Sequence, residues 1–417
     1  QLKTTHFLKT NQPMSFPDVD EQLSIIKRGT VEIVPEDELI EKLKKSRKNN
    51  TPLRIKLGCD PTRPDLHLGH SVILRKLRQF QDLGHHIILI IGDFTALIGD
   101  PTGQNKTRPS LSAEEIKENA ATYLDQAGKI LDRDKTEIVY NADWLGPITF
   151  EGVIKLSSKL TVARMIERDD FSKRFNNNEP ISLHEFLYPL AQGQDSVHLE
   201  SDVELGGTDQ KFNLLVGRDL QRDAGQDPQV CLMMPLLEGT DGSLKMSKSY
   251  DNYIGINEEP NDMYGKVLSI PDELIYRYYE LVTDIATDKL HEIMERVAKD
   301  PRNTKHDLAF TITRMYHGEV AAKNARKHFE RTVVNKEIPD DAPEIEFEPG
   351  TTVRLLDIIS DAEMTQSNGE TKRLMKQGGV SIDDEKVKDV NHEITFSEGD
   401  EYNLKVGKRK YAKLISR

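Results

Sequence analysis

His67-Leu-Gly69-His70 sets two imidazoles three residues apart around a glycine, where a strand-like run gives way to helical spacing. A turn of that kind presents backbone N–H groups and the positive end of a helix dipole, a seat for a phosphate. Gly69 allows a ligand close to the backbone, and each histidine can donate a hydrogen bond to an oxygen that gains charge during group transfer. A capped helix with two half-exposed histidines would carry the same letters. Much later, Lys245-Met-Ser247-Lys248-Ser249 follows the turn-rich Glu238-Gly-Thr-Asp-Gly-Ser. Two lysines among small hydroxyl residues on a loop suit a clamp on a polyphosphate that acts as the leaving group develops charge. A solvated basic loop is the plainer reading of that run alone. The two runs stand in order at opposite ends of one segment, which makes coincidence a poor explanation.

The elements that must position them follow from periodicity. Arg54–Gly58 and Ile87–Gly92 read as short strands ending in glycine, the second apolar throughout as in a buried parallel strand. Between them Leu74, Leu77, Phe80 and Leu83 repeat at helical spacing, and Gly84 closes the helix. A capping box at Ser112 and Glu115 opens another helix. Further strands are expected near Ile138–Tyr140, Val203–Gly206 and Val230–Met234. The alternation predicts an α/β, doubly wound (Rossmann-like) parallel sheet over residues 15–250. Residues 251–335 read as helical and 336–350 as an acidic, proline-punctuated linker. The last part, 351–417, reads as a small α+β module with one amphipathic helix and short strands.

Bulk properties narrow the class. The 417 residues carry 57 Lys+Arg against 70 Asp+Glu, a net charge of -13, which opposes indiscriminate binding to nucleic acid. From residue 351 onward the charges balance, 12 against 12, so that module can hold a local basic patch. No apolar run approaches a membrane span. Cys59 and Cys231 lack metal-type spacing and read as free thiols in a reducing compartment, so a cytoplasmic location is expected. Residues 1–14 match nothing that follows and are read as a tag or upstream extension, with Met14 a candidate start.

The paired runs resemble the two signatures of class I aminoacyl-tRNA synthetases, and the second matches letter for letter. The segments between them are similar to those of the bacterial tyrosyl branch. The resemblance implies activation of tyrosine by Mg2+-bound ATP and transfer to tRNA(Tyr), with no metal site in the protein itself and no membrane or DNA partner. A homodimer is implied too. By the same resemblance, His67, His70, Lys245, Lys248, Thr62 and Arg108 are catalytic. Asp60, Gly69, Gly206, Asp209, Ser247 and Ser249 bind ATP. Tyr188, Gln192 and Asp195 share a face of one helix: the first two hold the substrate's amino end and Asp195 accepts its phenolic hydroxyl. Asp100 pairs with the ammonium, and Thr95, Gly58 and Gln210 complete that end.

One position departs from the family. Many tyrosyl enzymes have a tyrosine four residues before Asp60, where this chain has Lys56, or Leu57 if the register shifts by one. A lysine there could bond the phenol, pair with Asp195 or point elsewhere. His70 and Gln192 favour tyrosine over the related tryptophanyl enzyme, as does the C-terminal module. In that module Ser367 to Ile382 resembles the start of an S-four-like RNA-binding domain. Lys372, Arg373 and Lys376 would share one helix face toward tRNA, extended by Lys408, Arg409 and Lys410. A nucleotidyltransferase without tRNA and a non-enzymatic RNA-binding regulator are the other readings.

Overall fold

The computed structural model describes residues 16–61, 65–101, 112–334, 342–407 and 410–417. The chain forms two compact units, Gln1–Ala322 and Lys323–Arg417.

The first unit is built on a six-stranded sheet: β1 (Glu32–Val34), β2 (Arg54–Cys59), β3 (His86–Ile91), β4 (Thr136–Tyr140), β5 (Val203–Gly207) and β6 (Val230–Met234). Their order is β1-β6-β5-β2-β3-β4. The five strands from β2 to β6 are mutually parallel, as the doubly wound reading requires. β1 was not foreseen; it adds antiparallel to β6 at the edge. Three residues ended by Pro35 are too few to show an alternation. From β2 the chain winds outward through β3 to β4, then returns to start again at β5 on the other side of β2. Ligands in such sheets bind beyond the strand ends where the order reverses, here between β2 and β5. The helical region expected after residue 250 contains the helices Pro260–Leu268, Ile275–Val282 and Leu290–Lys299.

Two helices, Leu187–Leu199 and Lys211–Asp223, pack across this reversal. A Cβ on Gly193 would lie 3.3 Å from the Gly217 backbone and 2.8 Å from Leu220 Cδ1. The helices therefore approach as closely as two glycines permit.

The second unit has a five-stranded sheet. Its order is β10 (Glu385–Lys386), β9 (Val380–Ile382), β12 (Glu401–Val406), β13 (Lys410–Ser416) and β7 (Glu344–Phe347). A separate pair joins β8 (Thr352–Arg354) to β11 (Glu393–Thr395). β7 corrects the linker reading: residues 344–347 pair in parallel with β13. Their Glu-Ile-Glu-Phe alternation turns Ile345 and Phe347 onto the core, and Phe347 stacks on buried Phe396 at 4.1 Å. The module also has two helices rather than one. Leu355–Asp361 buries Leu355, Leu356, Ile358 and Ile359, a run whose near-continuous apolar character hides its helical period.

The close helix crossing predicts opposite outcomes at two glycines. Gly193→Ala should lower the unfolding free energy by about 1–3 kcal/mol through overpacking. Gly265→Ala, on a helix with nothing within 4 Å of the added methyl, should raise it by about 0.4–1 kcal/mol. Urea unfolding measures both.

Candidate active site

A cavity of about 790 Å³ opens at the reversal point of the first unit. At one end, the first signature caps a helix. His67 is the N-cap of Leu68–Asp82. Its Nδ1 accepts from the Gly69 N–H at 3.1 Å, and His70 Nδ1 accepts from the His67 N–H at 3.2 Å. With both Nδ1 atoms occupied as acceptors, each neutral ring carries its proton on Nε2. Burial first, then the charges of His70 and Lys248, push His67 down to about 2. Burial and Lys248 push His70 down to about 4. The pair is neutral at physiological pH and offers Nε2–H donors.

The second signature is brought against the first by backbone pairing. Leu68 N–H donates to the Ile254 carbonyl at 2.9 Å and Ile256 N–H to the Leu66 carbonyl at 3.1 Å. Gly69 N–H also meets Met246 Sδ at 3.3 Å. Lys248 pairs with Asp65 and lies 5.6 Å from the Tyr253 ring centroid, while Lys245 is 3.8 Å from Asp209. Asn252 holds the loop: its Oδ1 accepts from Ser247 N–H at 2.8 Å, and its Nδ2 donates to the Lys245 carbonyl at 3.2 Å. Ser247 Oγ accepts from Ser249 N–H at 3.2 Å. On the sheet side, Gly206 and Asp209 line the same space.

The other end is a ring of carboxylates with assigned donors. Asp60 accepts from Tyr188 Oη at 2.8 Å and from Thr95 Oγ1 at 2.6 Å. A Cβ on Gly92 would fall 2.0 Å from Asp60 Oδ1, so only glycine permits that approach. Asp100 accepts from Gln210 Nε2 at 2.8 Å and Arg168 Nη2 at 3.2 Å. Asp195, buried, accepts from Trp144 Nε1 at 2.9 Å and Asn141 Nδ2 at 3.3 Å. Burial pushes the Asp195 carboxyl up to about 7, opposed by the Lys56 ammonium and by those two donors, while Glu204 raises it. Gly58 faces the cavity with nothing within 4 Å of an added Cβ.

Seventeen of the twenty residues expected at the ATP and amino-acid sites line this cavity. Thr62 and Arg108 lie outside the described residues, as do Lys408 and Arg409 of the C-terminal patch. Lys56 sits one pleat deeper than Gly58 on β2 and forms an ion pair with Glu204 at 3.2 Å. Its hydrogen bonds go to Ser196 and Gln192, so of the three readings for Lys56 the structure adopts the one in which it points elsewhere. Lys372, Arg373 and Lys376 are exposed on the helix Asn368–Lys376, whose Thr371 and Met375 face inward. Sequence reasoning missed Asn141, Trp144, Arg168, Glu204 and Asn213. Asn141 directly follows β4 at the ligand-binding edge of the sheet, and Trp144 is the chain's single tryptophan; both were usable signals.

Residues 48–333 match the family described as tRNA synthetases class I (W and Y). The chain belongs to the class I tRNA synthetases. Residues 334–414 match the tyrosine–tRNA ligase SYY-like C-terminal domain. Among similar proteins, the tyrosine–tRNA ligase of Salinibacter ruber is 57% identical over 403 residues, covering 96% of this chain and 98% of its own. That of Thermotoga maritima is 53% identical, covering 95% and 97%. Among solved structures, a truncated Aspergillus nidulans mitochondrial tyrosyl-tRNA synthetase shares the fold at a TM-score of 0.63 and 22% identity. It covers 74% of this chain and 93% of its own. The Archaeoglobus fulgidus tyrosyl-tRNA synthetase complexed with L-tyrosine does so at 0.58 and 24%, covering 74% and 99%.

For this synthetase, NMR titration of ligand-free protein should find Asp195 near 7. Trp144→Phe should move it higher, because the lost hydrogen bond favoured the ionised form. A carboxyl raised above its unfolded value of 3.8 binds its proton more tightly when folded. Its contribution to stability is therefore complete below 3.8 and lost as pH rises through about 7. Trp144→Phe should extend that loss to higher pH.

Proposed function

We propose that this synthetase is a tyrosine–tRNA ligase. The tyrosine carboxylate attacks the α-phosphorus of ATP, pyrophosphate leaves, and tyrosyl-adenylate forms. The 3′-terminal ribose hydroxyl of tRNA(Tyr) then attacks the adenylate carbonyl, and AMP leaves. The observation that carries the reading is Asp195: a buried carboxylate on the cavity wall, oriented by Trp144 and Asn141, with acceptor capacity left for a phenol. A site built to bond a hydroxyl rejects a substrate without one, a rule whose standard illustration is the tyrosine-over-phenylalanine choice of this enzyme class.

The remaining roles follow the geometry. Asp100, held by Gln210 and Arg168, offers negative charge to the substrate ammonium. Tyr188, Gln192 and Thr95 complete that end. Gly206 and Asp209 suit the adenosine ribose, and the neutral His67 and His70 donate Nε2–H bonds toward the phosphates. Lys245 and Lys248 leave Asp209 and Asp65 to meet the departing pyrophosphate. Thr62 and Arg108 join them in this reading. Mg2+ enters with ATP. Among the described residues no group of three His, Cys, Asp or Glu could hold a metal ion. No side chain acts as a covalent nucleophile; positioning and charge stabilisation suffice.

The S-four-like module is assigned to tRNA(Tyr), supported by exposed Lys372, Arg373 and Lys376 on one helix. A homodimer is part of the same reading. Phe150, Ile154, Val162, Phe175 and Leu183, in the chain segment between β4 and β5, are 56–82% exposed, apolar side chains that a second copy would cover. Among the described residues no helix is long and apolar enough to cross a membrane, and a cytoplasmic location completes the proposal.

Exchange of labelled pyrophosphate into ATP should be strong with tyrosine and near background with phenylalanine and tryptophan. Strong exchange with tryptophan would sink the assignment. His67→Ala, His70→Ala, Lys245→Ala and Lys248→Ala should each slow single-turnover adenylation by about 10²–10³-fold, with tyrosine affinity nearly unchanged. Tyrosine should bind more weakly as pH falls below about 7, since protonated Asp195 loses acceptor capacity. Phe150→Asp should shift the protein toward monomer in sedimentation; an unchanged dimer would relocate the interface.

A further inference from the structure

Lys56 on β2 and Glu204 on β5 are register partners across the sheet reversal. Their side chains are 0% and 1% exposed and lie behind the cavity wall. Every polar contact of the pair reaches the Leu187–Leu199 helix or its underlay. Lys56 Nζ donates to Ser196 Oγ at 2.5 Å and to the Gln192 carbonyl at 3.2 Å. Glu204 Oε1 accepts from Gln192 Nε2 at 3.0 Å, and Oε2 accepts from Ser196 Oγ at 3.2 Å and from Gln229 Nε2. Gln192 Oε1 in turn accepts from Asn213 Nδ2 at 3.0 Å. Gln192 alone of this group lines the cavity.

An amide side chain can face a neighbour with either its donor or its acceptor end. A carboxylate only accepts, so Glu204 selects the Nε2 end of Gln192. Lys56 Nζ, 3.2 Å from Glu204 Oε1, answers the charge of that carboxylate at this depth. The selected orientation leaves Gln192 one N–H and one Oε1 lone pair for the cavity, and the lone pair is an acceptor suited to an ammonium. We propose that the Lys56–Glu204 pair is a positioning unit that fixes the amide orientation of Gln192, and through it the grip on the ammonium-bearing end of the amino acid. The proposal rests on the tyrosine–tRNA ligase reading. It separates Lys56 from the phenol: none of its hydrogen bonds goes to Asp195.

Isothermal titration of the full chain with tyrosine and with 3-(4-hydroxyphenyl)propionate, which keeps the phenol and lacks the ammonium, tests this. Lys56→Met should weaken tyrosine about tenfold or more and the deamino analogue by no more than about twofold. Lys56→Arg, which retains the charge, should recover most of the tyrosine affinity. Equal weakening of both ligands would mean a role at the phenol or in general stability and would overturn the proposal, as would no weakening at all. If Lys56→Met does not fold, the charge-neutral Lys56→Met/Glu204→Gln variant carries the same comparison, with the same selective loss expected. Failure of the unaltered protein to bind tyrosine would instead strike the ligase reading.

Discussion

A carboxylate taken out of water costs several kcal/mol unless charge and hydrogen bonds answer it, by roughly the order that removing one partner of a buried pair reveals, about 3–5 kcal/mol. Among the carboxylates that the first unit buries, Glu204 lies against the helix Leu187–Leu199 and Asp195 lies on it, and much of the local architecture serves these two. Glu204 needs Lys56, which ties β2 to β5 in a fixed register. It also needs Ser196 and Gln229, and these occupy the space where a Gly217 side chain would go: an added Cβ would lie 2.7 Å from each. The same Gly217 meets Gly193 at the helix crossing. Register, helix approach and polar cluster are thus one constraint seen from three sides.

The two ends of the cavity solve opposite problems. At the end lined by Asp60, Asp100 and Asp195, negative groups are held with their donors already assigned, so an incoming polar group finds oriented acceptors without rearrangement. At the end lined by the two signatures, the positive groups rest on partly exposed carboxylates. Lys245 and Asp209 are partly exposed at 3.8 Å, where an ion pair contributes about 0–1 kcal/mol, so exchanging that partner for another anion meets little resistance. The histidines between them need no exchange, since their backbone acceptor bonds aim Nε2–H outward in advance.

What the sequence made legible follows from locality. The two signatures and the Tyr188, Gln192, Asp195 face are contiguous or helix-periodic, so their side chains converge by local geometry alone. β2 through β6 were readable because buried parallel strands are apolar runs bounded by turns. Glu204 and Asn213 were not, because each meets its partners through a crossover whose landing point only the folded sheet defines. Lys56 was visible as a departure from the family pattern but not interpretable, since its partner lies 148 residues away. The strand Glu344–Phe347 was hidden in a segment whose acid and proline content suggested a linker, although its alternation pointed to a sheet edge.

Gly58 has a consequence of another kind. It is the penultimate residue of the strand that carries Lys56, lines the cavity, and has open space where a side chain would begin. Cavity walls are usually coupled to the scaffold behind them, so that reshaping one disturbs the other. Here a methyl or larger group could enter the ligand's volume without pressing on any neighbour. The contour of the pocket is adjustable at this point independently of the stability of the fold, which makes it a place where acceptance of altered aromatic substrates can drift or be engineered while the buried charge network stays intact.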